Sequence, residues 1–468
     1  MTFTARDFIG ASQAAFLLGG PLDAFQGLSI DTRTLQEGDL FFAIPGPHHD
    51  GHDHLEDAAR KGAAGCVIQS LDQRVNFERS RPPLMFLVPD SISALQQWAR
   101  FLRQRSTATF IGITGSNGKT TTKEMAASIL ERVGKTLSSR GNLNNHLGLP
   151  LTLSRLEPDH RFAALEMGAS QPGDIALLAE IAAPTVGVIT NIGKTHLEKL
   201  GSQEGILKEK RALWDRLPSD GVAVINQDDP FLAAAAGTLA CRKIFFGMTA
   251  LADVRAEQVQ EEEESVRFML QIKGQRAPVR LPVAGHFQVM NALAAAGVAH
   301  AVGVPVQEIA LGLASFRPAA MRMQRVPHPS GAVLINDAYN ANPTSVRASV
   351  SGFCQSYARR PRWLVLGDMR ELGAGARNEH RDLGSWLAGQ PLDRVFLYGR
   401  DTRFVLEGLR IKSKTFRVER YRKKRLLLAE LQRSLAEKPV ILFKGSRVMR
   451  LEDIIRPLAE MNPGLLAH

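Results

Sequence analysis

Cysteine is scarce: three in 468 residues, with Cys66, Cys241 and Cys354 far apart and no CxxC pair among them. That excludes a disulfide-built scaffold and a cysteine-based zinc module, and leaves three small hydrophobes expected to be buried. Long apolar runs are also absent. Stretches such as 439–443 (PVILF) fall far short of the ~20 residues a membrane helix needs. The opening residues, MTFTARDFIG, hold no basic region followed by an apolar one, so the expectation is a cytoplasmic chain with no signal peptide and no membrane insertion. A GxGxxG dinucleotide fingerprint is missing, as are internal repeats and low-complexity segments.

The remaining composition is that of an ordinary globular protein, 44% hydrophobic and 22% charged, and the length calls for two to four domains rather than one core. The formal charge of +11 opens a nucleic-acid reading. Much of the surplus, however, lies in the final third, notably in 412–425 (KSKTFRVERYRKKR), which is expected to be a solvated face. Anionic nucleotide substrates would suit a basic protein equally well, so charge alone does not decide between these partners.

Three regions read differently, and together they predict a three-domain α/β fold. Residues 1–107 mix short apolar strands with Gly- and His-rich loops and end in a helix expected over 94–105. Residues 108–316 begin with strand, glycine loop and helix. Buried-strand runs follow at 162–166, 186–190, 222–226 and 243–246, which predicts a parallel sheet covered on both faces. Charged and apolar positions alternate over 252–283 around EEEES, as in an antiparallel hairpin whose acidic run is a solvated turn. Residues 317–468 carry strands expected at 333–337, 363–367, 394–398 and 440–443, the spacing of a Rossmann-like domain.

The strongest local signal is GITGSNGKTTT at 112–122. A strand enters, glycines let the backbone curl round phosphates, and a helix leaves with its positive end toward the anion. Candidate nucleotide contacts are Gly115, Ser116, Asn117, Gly118, Lys119, Thr120 and Thr121, with Lys119 on the β- and γ-phosphates and the Thr120 hydroxyl on Mg²⁺. The strict GxxxxGK[ST] pattern is not met, because Ile113 stands where it demands glycine. Glu166 ends the strand FAALE and His196 follows the strand VGVIT and its loop. Both therefore fall at the carboxyl edge of the sheet, as a carboxylate–imidazole pair suited to a divalent metal. The segment 205–215, with Lys208, Lys210 and Arg211, reads by itself as a solvated basic helix. The histidine-rich loop 48–54 lacks both cysteine and regular helical spacing, and is read as a loop rather than a zinc site.

In their order along the chain, GITGSNGKTTT, EMGAS (166–170), TNIGKTHLE (190–198), NQDD (226–229) and DAYNANPTS (337–345) resemble the Mur ligase family over essentially the whole length. GNLNNHLGLPLTL (141–153), LGDMRELG (366–373) and KGSRVMRLE (444–452) are similar to the member that joins D-alanyl-D-alanine to a UDP-linked muramoyl tripeptide. The DNPR stretch of the sister ligase that adds the third amino acid is absent. The resemblance implies an N-terminal UDP-binding domain using Asp31, Thr32 and Arg33, a central P-loop ATPase domain, and a C-terminal domain that closes on the nucleotide. It implies ATP and two Mg²⁺ ions as cofactors, with Thr120 on one ion and Glu166 and His196 on the other. A carbamoylated lysine would complete that second site at Lys210, which stands fourteen residues after His196 (210 − 196). It further implies Asn291 on the adenine, Arg322 on the γ-phosphate, Asp337 and Asn340 on the nucleotide, and Asn142, Asn144 and Asn145 on the substrate. A monomer acting on small molecules, with no nucleic-acid partner, is the expectation. GHFQ at 285–288 departs from the commoner GRHN-like sequence ahead of Asn291.

Overall fold

The computed structural model describes residues 2–20, 23–70, 84–411 and 416–460. Three larger sheets organise the chain, and each closes over its own apolar residues. In the first, strands Gly27–Ser29, Asp39–Phe42, Gly65–Ile68 and Leu84–Leu87 run parallel, and Ala15–Leu18 adds an antiparallel edge. The helix Ser91–Arg105 starts at Asp90, whose carboxylate accepts from the amides of Ile92 and Ser93, satisfying two donors that a helix start leaves unpaired. Its Ala94, Leu95, Trp98, Ala99 and Leu102 are buried at helical spacing. Trp98 meets Phe8 and Phe25 with ring centroids 5.6 and 5.4 Å apart. The opposite side of the same helix seats this domain on the next: Arg100 pairs with Glu180 at 2.8 Å, and Arg103 Nε donates to the Ala182 carbonyl at 2.8 Å.

The central sheet has nine strands. From the hairpin edge their order is Gln275–Leu281, Val266–Ile272, Val254–Glu261, Arg242–Gly247, Val222–Asn226, Val186–Ile189, Thr109–Thr114, Phe162–Glu166 and Thr136–Ser138. The inner strands are buried along their full length because helices cover both faces, which is why they read as unbroken apolar runs. Ile111, Ile113, Val188 and Val224 pack with the helices Lys119–Leu130 and Phe287–Ala301. Phe110, Ala163, Leu165 and Ala223 pack with Asp174–Ala182 and its neighbours. Thr109–Thr114 lies between Phe162–Glu166 and Val186–Ile189. The connections on its two sides therefore diverge, and a crevice opens at the carboxyl ends of these three strands. The predicted antiparallel extension is present in 254–281, where one face of Val266–Ile272 and Gln275–Leu281 is buried and the other exposed. Lys273 and Gly274, at φ 47° and 83°, make the two-residue turn between them, the geometry that matches strand twist.

The third sheet orders Gln324–Pro327, Val333–Asn336, Val440–Lys444, Arg362–Gly367, Arg394–Tyr398 and Arg417–Tyr421, parallel except for the first. The basic run expected as a solvated face is exposed at Arg417, Arg422, Lys423 and Arg425. Residues 412–415 lie outside the described residues, and Arg417–Tyr421 is an edge strand. Two cations of the run are paired, Arg417 with Glu419 at 3.0 Å and Lys424 with Asp453 at 2.7 Å, and on the neighbouring strand Arg394 bridges Glu419 and Glu430 at 2.8 and 2.9 Å. Charged side chains on an exposed edge also discourage pairing with another chain. The short strands Thr136–Ser138 and Gln324–Pro327 had no sequence signal, since three or four residues are too few to show a period. One buried cluster runs unbroken from Val289 and Leu293 of the central domain to Val350 and Phe353 of the third. Among the described residues no helix is long and apolar enough to cross a membrane.

Candidate active site

The strand Thr109–Thr114 delivers the loop 115–118 into the crevice. Gly115 and Gly118 sit at φ 146° and 82°, and a Cβ on Gly118 would lie 2.1 Å from Asn291 Oδ1. Only glycine fits there without strain. The next strand end holds the loop in shape: Asn191 donates through Nδ2 to the Asn117 carbonyl at 3.0 Å and accepts the Asn117 amide at 3.0 Å. The helix Lys119–Leu130 has no side-chain cap at its start, which leaves its first amides and its positive end for an anion. Lys119 curls back over the loop, donating to the carbonyls of Gly115 at 2.8 Å and Ser116 at 3.3 Å. Burial lowers its pKa; the nearby Glu166 carboxylate opposes that effect and Arg322 adds to it.

Glu166 ends its strand only 3% exposed. Asn144 Nδ2 donates to its Oε1 at 2.8 Å, while Oε2 is buried with no partner among the described residues. An unsatisfied buried carboxylate oxygen is costly, and a hard cation is the partner such an atom suits. His196 follows the neighbouring strand in a left-handed conformation, φ 52°. Its Nδ1 contacts Glu371 Oε2 of the third domain at 2.7 Å, which leaves Nε2 for another ligand. The His196 ring holds the Glu371 carboxyl below its usual range. Thr120, Glu166 and His196 line one cavity of about 370 Å³. The chemistry of this donor set and the orphaned Glu166 oxygen fit Mg²⁺.

Lys210 corrects the reading of 205–215 as a solvated helix. The helix Gln203–Arg211 buries Glu209 and Lys210, and Lys210 is 1% exposed. Glu209 is consumed by the amides of Gly173 and Ile175, each at 2.7 Å. The Lys210 ammonium has no hydrogen bond or ion pair among the described residues, and burial, reinforced by the charge on Lys119, brings its pKa down to about 7. It lines neither cavity and lies behind the P-loop lysine.

A second cavity of about 530 Å³ opens between the central and third domains, on the other side of the P-loop. Gly118, Thr121, Met248, Phe287, Asn291 and Asp337 are among its walls. Asn291 donates through Nδ2 to Gln288 Oε1 at 2.9 Å, so the GHFQ departure supplies this amide's partner. Arg322 borders both cavities and donates to Thr120 Oγ1 at 3.2 Å. Asp337 accepts from Ser349 Oγ at 2.7 Å and pairs with Lys444 at 2.8 Å.

Not every expected residue comes to these cavities. Asn144 and Asn145 line the smaller one, but Asn142 lines neither. Asn340 lines the Glu166 cavity rather than the larger one, and its carbonyl accepts from Lys444 Nζ at 2.8 Å. Asp31, Thr32 and Arg33 stay in the N-terminal domain, away from both. There Arg33 holds the Asp31 carboxyl down at about 2, and Lys61 donates to the Thr32 carbonyl at 2.9 Å. His52 of the histidine-rich loop uses both ring nitrogens, on Asp50 at 2.7 Å and on the Gln69 amide at 3.0 Å. Residue-by-residue reasoning missed Glu371, Tyr339, Asn342 and Lys444. Asn342 Nδ2 donates to Asn117 Oδ1 at 2.7 Å, and Lys194 meets Glu379 at 2.7 Å, so these contacts, with His196–Glu371, dock the third domain on the P-loop side. The motifs DAYNANPTS, LGDMRELG and KGSRVMRLE carried the signal, but no spacing within them says which side chain reaches across.

Comparison with known proteins bears on what this arrangement does. The Mur ligase middle domain matches residues 113–299, the "Mur ligase, glutamate ligase domain" residues 321–447, and the "Mur ligase family, catalytic domain" residues 24–97. The UDP-N-acetylmuramoyl-tripeptide–D-alanyl-D-alanine ligase of Bacillus subtilis (strain 168) is 37% identical over 93% of this chain and 93% of its own length. The crystal structure of MurF from Acinetobacter baumannii superposes with a TM-score of 0.89 at 32% identity, covering 98% of this chain and 99% of its own. The MurF ligase of Thermotoga maritima in complex with ADP gives 0.80 at 29% identity, over 93% of this chain and 97% of its own.

Proposed function

The chain belongs to the Mur ligase family, and from that premise we infer how its own residues divide the reaction. It is an ATP-dependent ligase that adds D-alanyl-D-alanine to UDP-N-acetylmuramoyl-tripeptide, a step of peptidoglycan synthesis, and we place that step in the cytoplasm. A carboxylate is a poor electrophile at neutral pH. The tripeptide's terminal carboxylate oxygen therefore takes the γ-phosphoryl group of ATP and ADP leaves. The dipeptide amine then attacks the acyl carbon, the C–N bond forms, the C–O bond to phosphate breaks, and the amine loses a proton.

In our reading the nucleotide occupies the larger cavity, with Asn291 beside the base and Asp337 closing it from the third domain. Its phosphates lie along Gly115, Ser116, Asn117, Gly118, Lys119, Thr120 and Thr121. Lys119 and Arg322 place positive charge where the transferring phosphoryl group gains negative charge, an effect typically worth several kcal/mol in a site sheltered from water. Thr120 would hold one Mg²⁺ and Glu166 with His196 the other; when bound, the ions stabilise the phosphoryl charge as Lewis acids. Burial brings the Lys210 pKa down to about 7, which makes a neutral amine accessible near neutral pH. Its free amine can add to CO₂ and lose a proton, giving an anionic carbamate suited to Mg²⁺. Asn144 and Asn145 are proposed to meet the tripeptide, and Asp31, Thr32, Arg33 and Asn142 its nucleotide-sugar end. Docking of the third domain excludes water from the acyl phosphate.

The observation that carries this reading is the convergence around one cavity of Lys119, the unpartnered Glu166 Oε2, His196 and Arg322. The test is phosphate release from MgATP, with UDP-N-acetylmuramoyl-tripeptide and D-Ala-D-Ala added singly and together, and product mass recorded. Release that requires both, with a UDP-muramoyl-pentapeptide product, is the expected result. Release supported by a single amino acid in place of the dipeptide would refute the assigned second substrate.

A further inference from the structure

Arg322 has no regular element to stand on. It lies between the helix Val306–Ser315 and the strand Gln324–Pro327, in the passage from the central to the third domain. Its neighbours Met321 and Met323 are both left-handed, at φ 59° and 53°, a conformation non-glycine residues keep only when their surroundings impose it. The surroundings are Gln324 of the following strand, whose Oε1 accepts the Met321 amide at 3.2 Å, and one loop of the third domain. The Asp337 carboxylate accepts the Met323 amide at 3.3 Å, and the Tyr339 amide donates to the Met321 carbonyl at 3.4 Å. The Tyr339 ring lies under the guanidinium, 4.0 Å from ring centroid to Arg322 Cζ. Among the described residues Arg322 Nε is buried without a hydrogen-bond partner, so stacking and the contact with Thr120 Oγ1 are what orient the head group.

The loop is itself held from behind. Lys444 Nζ reaches the Asp337 carboxylate at 2.8 Å, the Asp337 carbonyl at 3.3 Å and the Asn340 carbonyl at 2.8 Å. We propose that Tyr339 is the positioning residue that aims Arg322 at the phosphate site. This rests on the assignment of Arg322 to the transferring phosphoryl group. A guanidinium stacked on an aromatic face, partly out of water, gains enough orientation to change a rate about tenfold. Because Arg322 acts where charge develops, the effect falls on kcat rather than on ground-state ATP binding.

The experiment measures kcat and KM for ATP, with both other substrates saturating, in the wild type, Tyr339→Leu, Tyr339→Phe, Arg322→Ala and the Arg322→Ala/Tyr339→Leu double variant. Tyr339→Leu is expected to lower kcat about tenfold while KM for ATP moves by less than about twofold. Tyr339→Phe, which keeps the ring, recovers most of that loss. On the Arg322→Ala background Tyr339→Leu adds less than about twofold, since its effect is transmitted through the missing side chain. Tyr339→Gln gives the same test should the leucine variant not fold. Wild-type kcat in Tyr339→Leu, a phenylalanine variant as slow as leucine, or an undiminished loss on the Arg322→Ala background each overturns the inference alone. Wild-type kcat in Arg322→Ala overturns the phosphoryl assignment and the inference with it.

Discussion

Replacing Lys210 by methionine separates what its amine does in catalysis from what its burial does to stability. Methionine keeps the length and apolar stem, so the packing of the helix Gln203–Arg211 is expected to survive. The fall of the Lys210 pKa from an ordinary 10.5 to about 7 on folding corresponds to a penalty of about 5 kcal/mol on the charged form if the whole difference is realised. Below pH 7 the native and unfolded chains both carry the proton, and the native state bears the full penalty. Between pH 7 and 10.5 the native lysine sheds its proton while the unfolded one keeps it. The unfolded state then binds more protons, and wild-type stability rises with pH. Lys210→Met has neither the penalty nor this slope. In CO₂-depleted buffer the variant should be more stable than the wild type at pH 6 by about 2–5 kcal/mol, with about two thirds of the gap closed by pH 9.5. Turnover should fall by about 10- to 100-fold in the same variant, the scale for losing the support of a bound metal. Urea unfolding at the two pH values and the phosphate-release assay give both readings. A variant no more stable than the wild type at pH 6, or a gap that does not narrow, refutes the buried-amine argument. Undiminished turnover refutes the carbamate assignment.

Three further predictions come from the same geometry. Gly118→Ala places a Cβ 2.1 Å from Asn291 Oδ1 at φ 82°, and left-handed strain plus displacement of that amide should weaken ATP binding by about 2 kcal/mol, roughly 30-fold; ATP affinity within about twofold of wild type would show that the loop has slack. Glu371→Gln removes the charge beside His196 Nδ1, and the Mg²⁺ concentration for half-maximal rate should rise about tenfold, as when the residue orienting a metal ligand is lost; an unchanged Mg²⁺ requirement would make the contact a docking bridge only. Cys66, buried and with its thiol pushed up to about 12, should resist iodoacetamide at pH 8 in the folded protein and react once urea unfolds it; labelling of the native protein at this position would contradict its burial.

The third domain does more than cover the nucleotide. Four of its side chains, Tyr339, Asn342, Glu371 and Glu379, touch Arg322 in the passage between the domains, Asn117 of the phosphate loop, His196, and Lys194 of the loop that carries His196. Each contact is a single hydrogen bond, ion pair or stacking interaction. Their sum is small beside the buried cluster shared by the two domains, and the polar contacts set register more than stability.

The amino-acid sequence alone determined the order and kind of the main elements. Apolar runs such as FAALE and VILF announce strands because a sheet covered on both faces has no polar side to show. The phosphate loop was legible because glycines, lysine and threonine act through their own backbone and a few adjacent residues. That Glu166 and His196 fall on one cavity was legible because a strand end is itself a position in space. Tertiary structure alone decided the rest. It showed that Lys210 is buried while Lys208, two residues away, is exposed. It left Glu166 Oε2 without a partner and turned a basic run into an edge strand. It brought Arg322 to Thr120 across 202 residues and Asn342 to Asn117 across 225. Local propensity acts over a turn or a strand, whereas these distances are set by how three sheets pack against one another, and no short stretch of sequence carries that information.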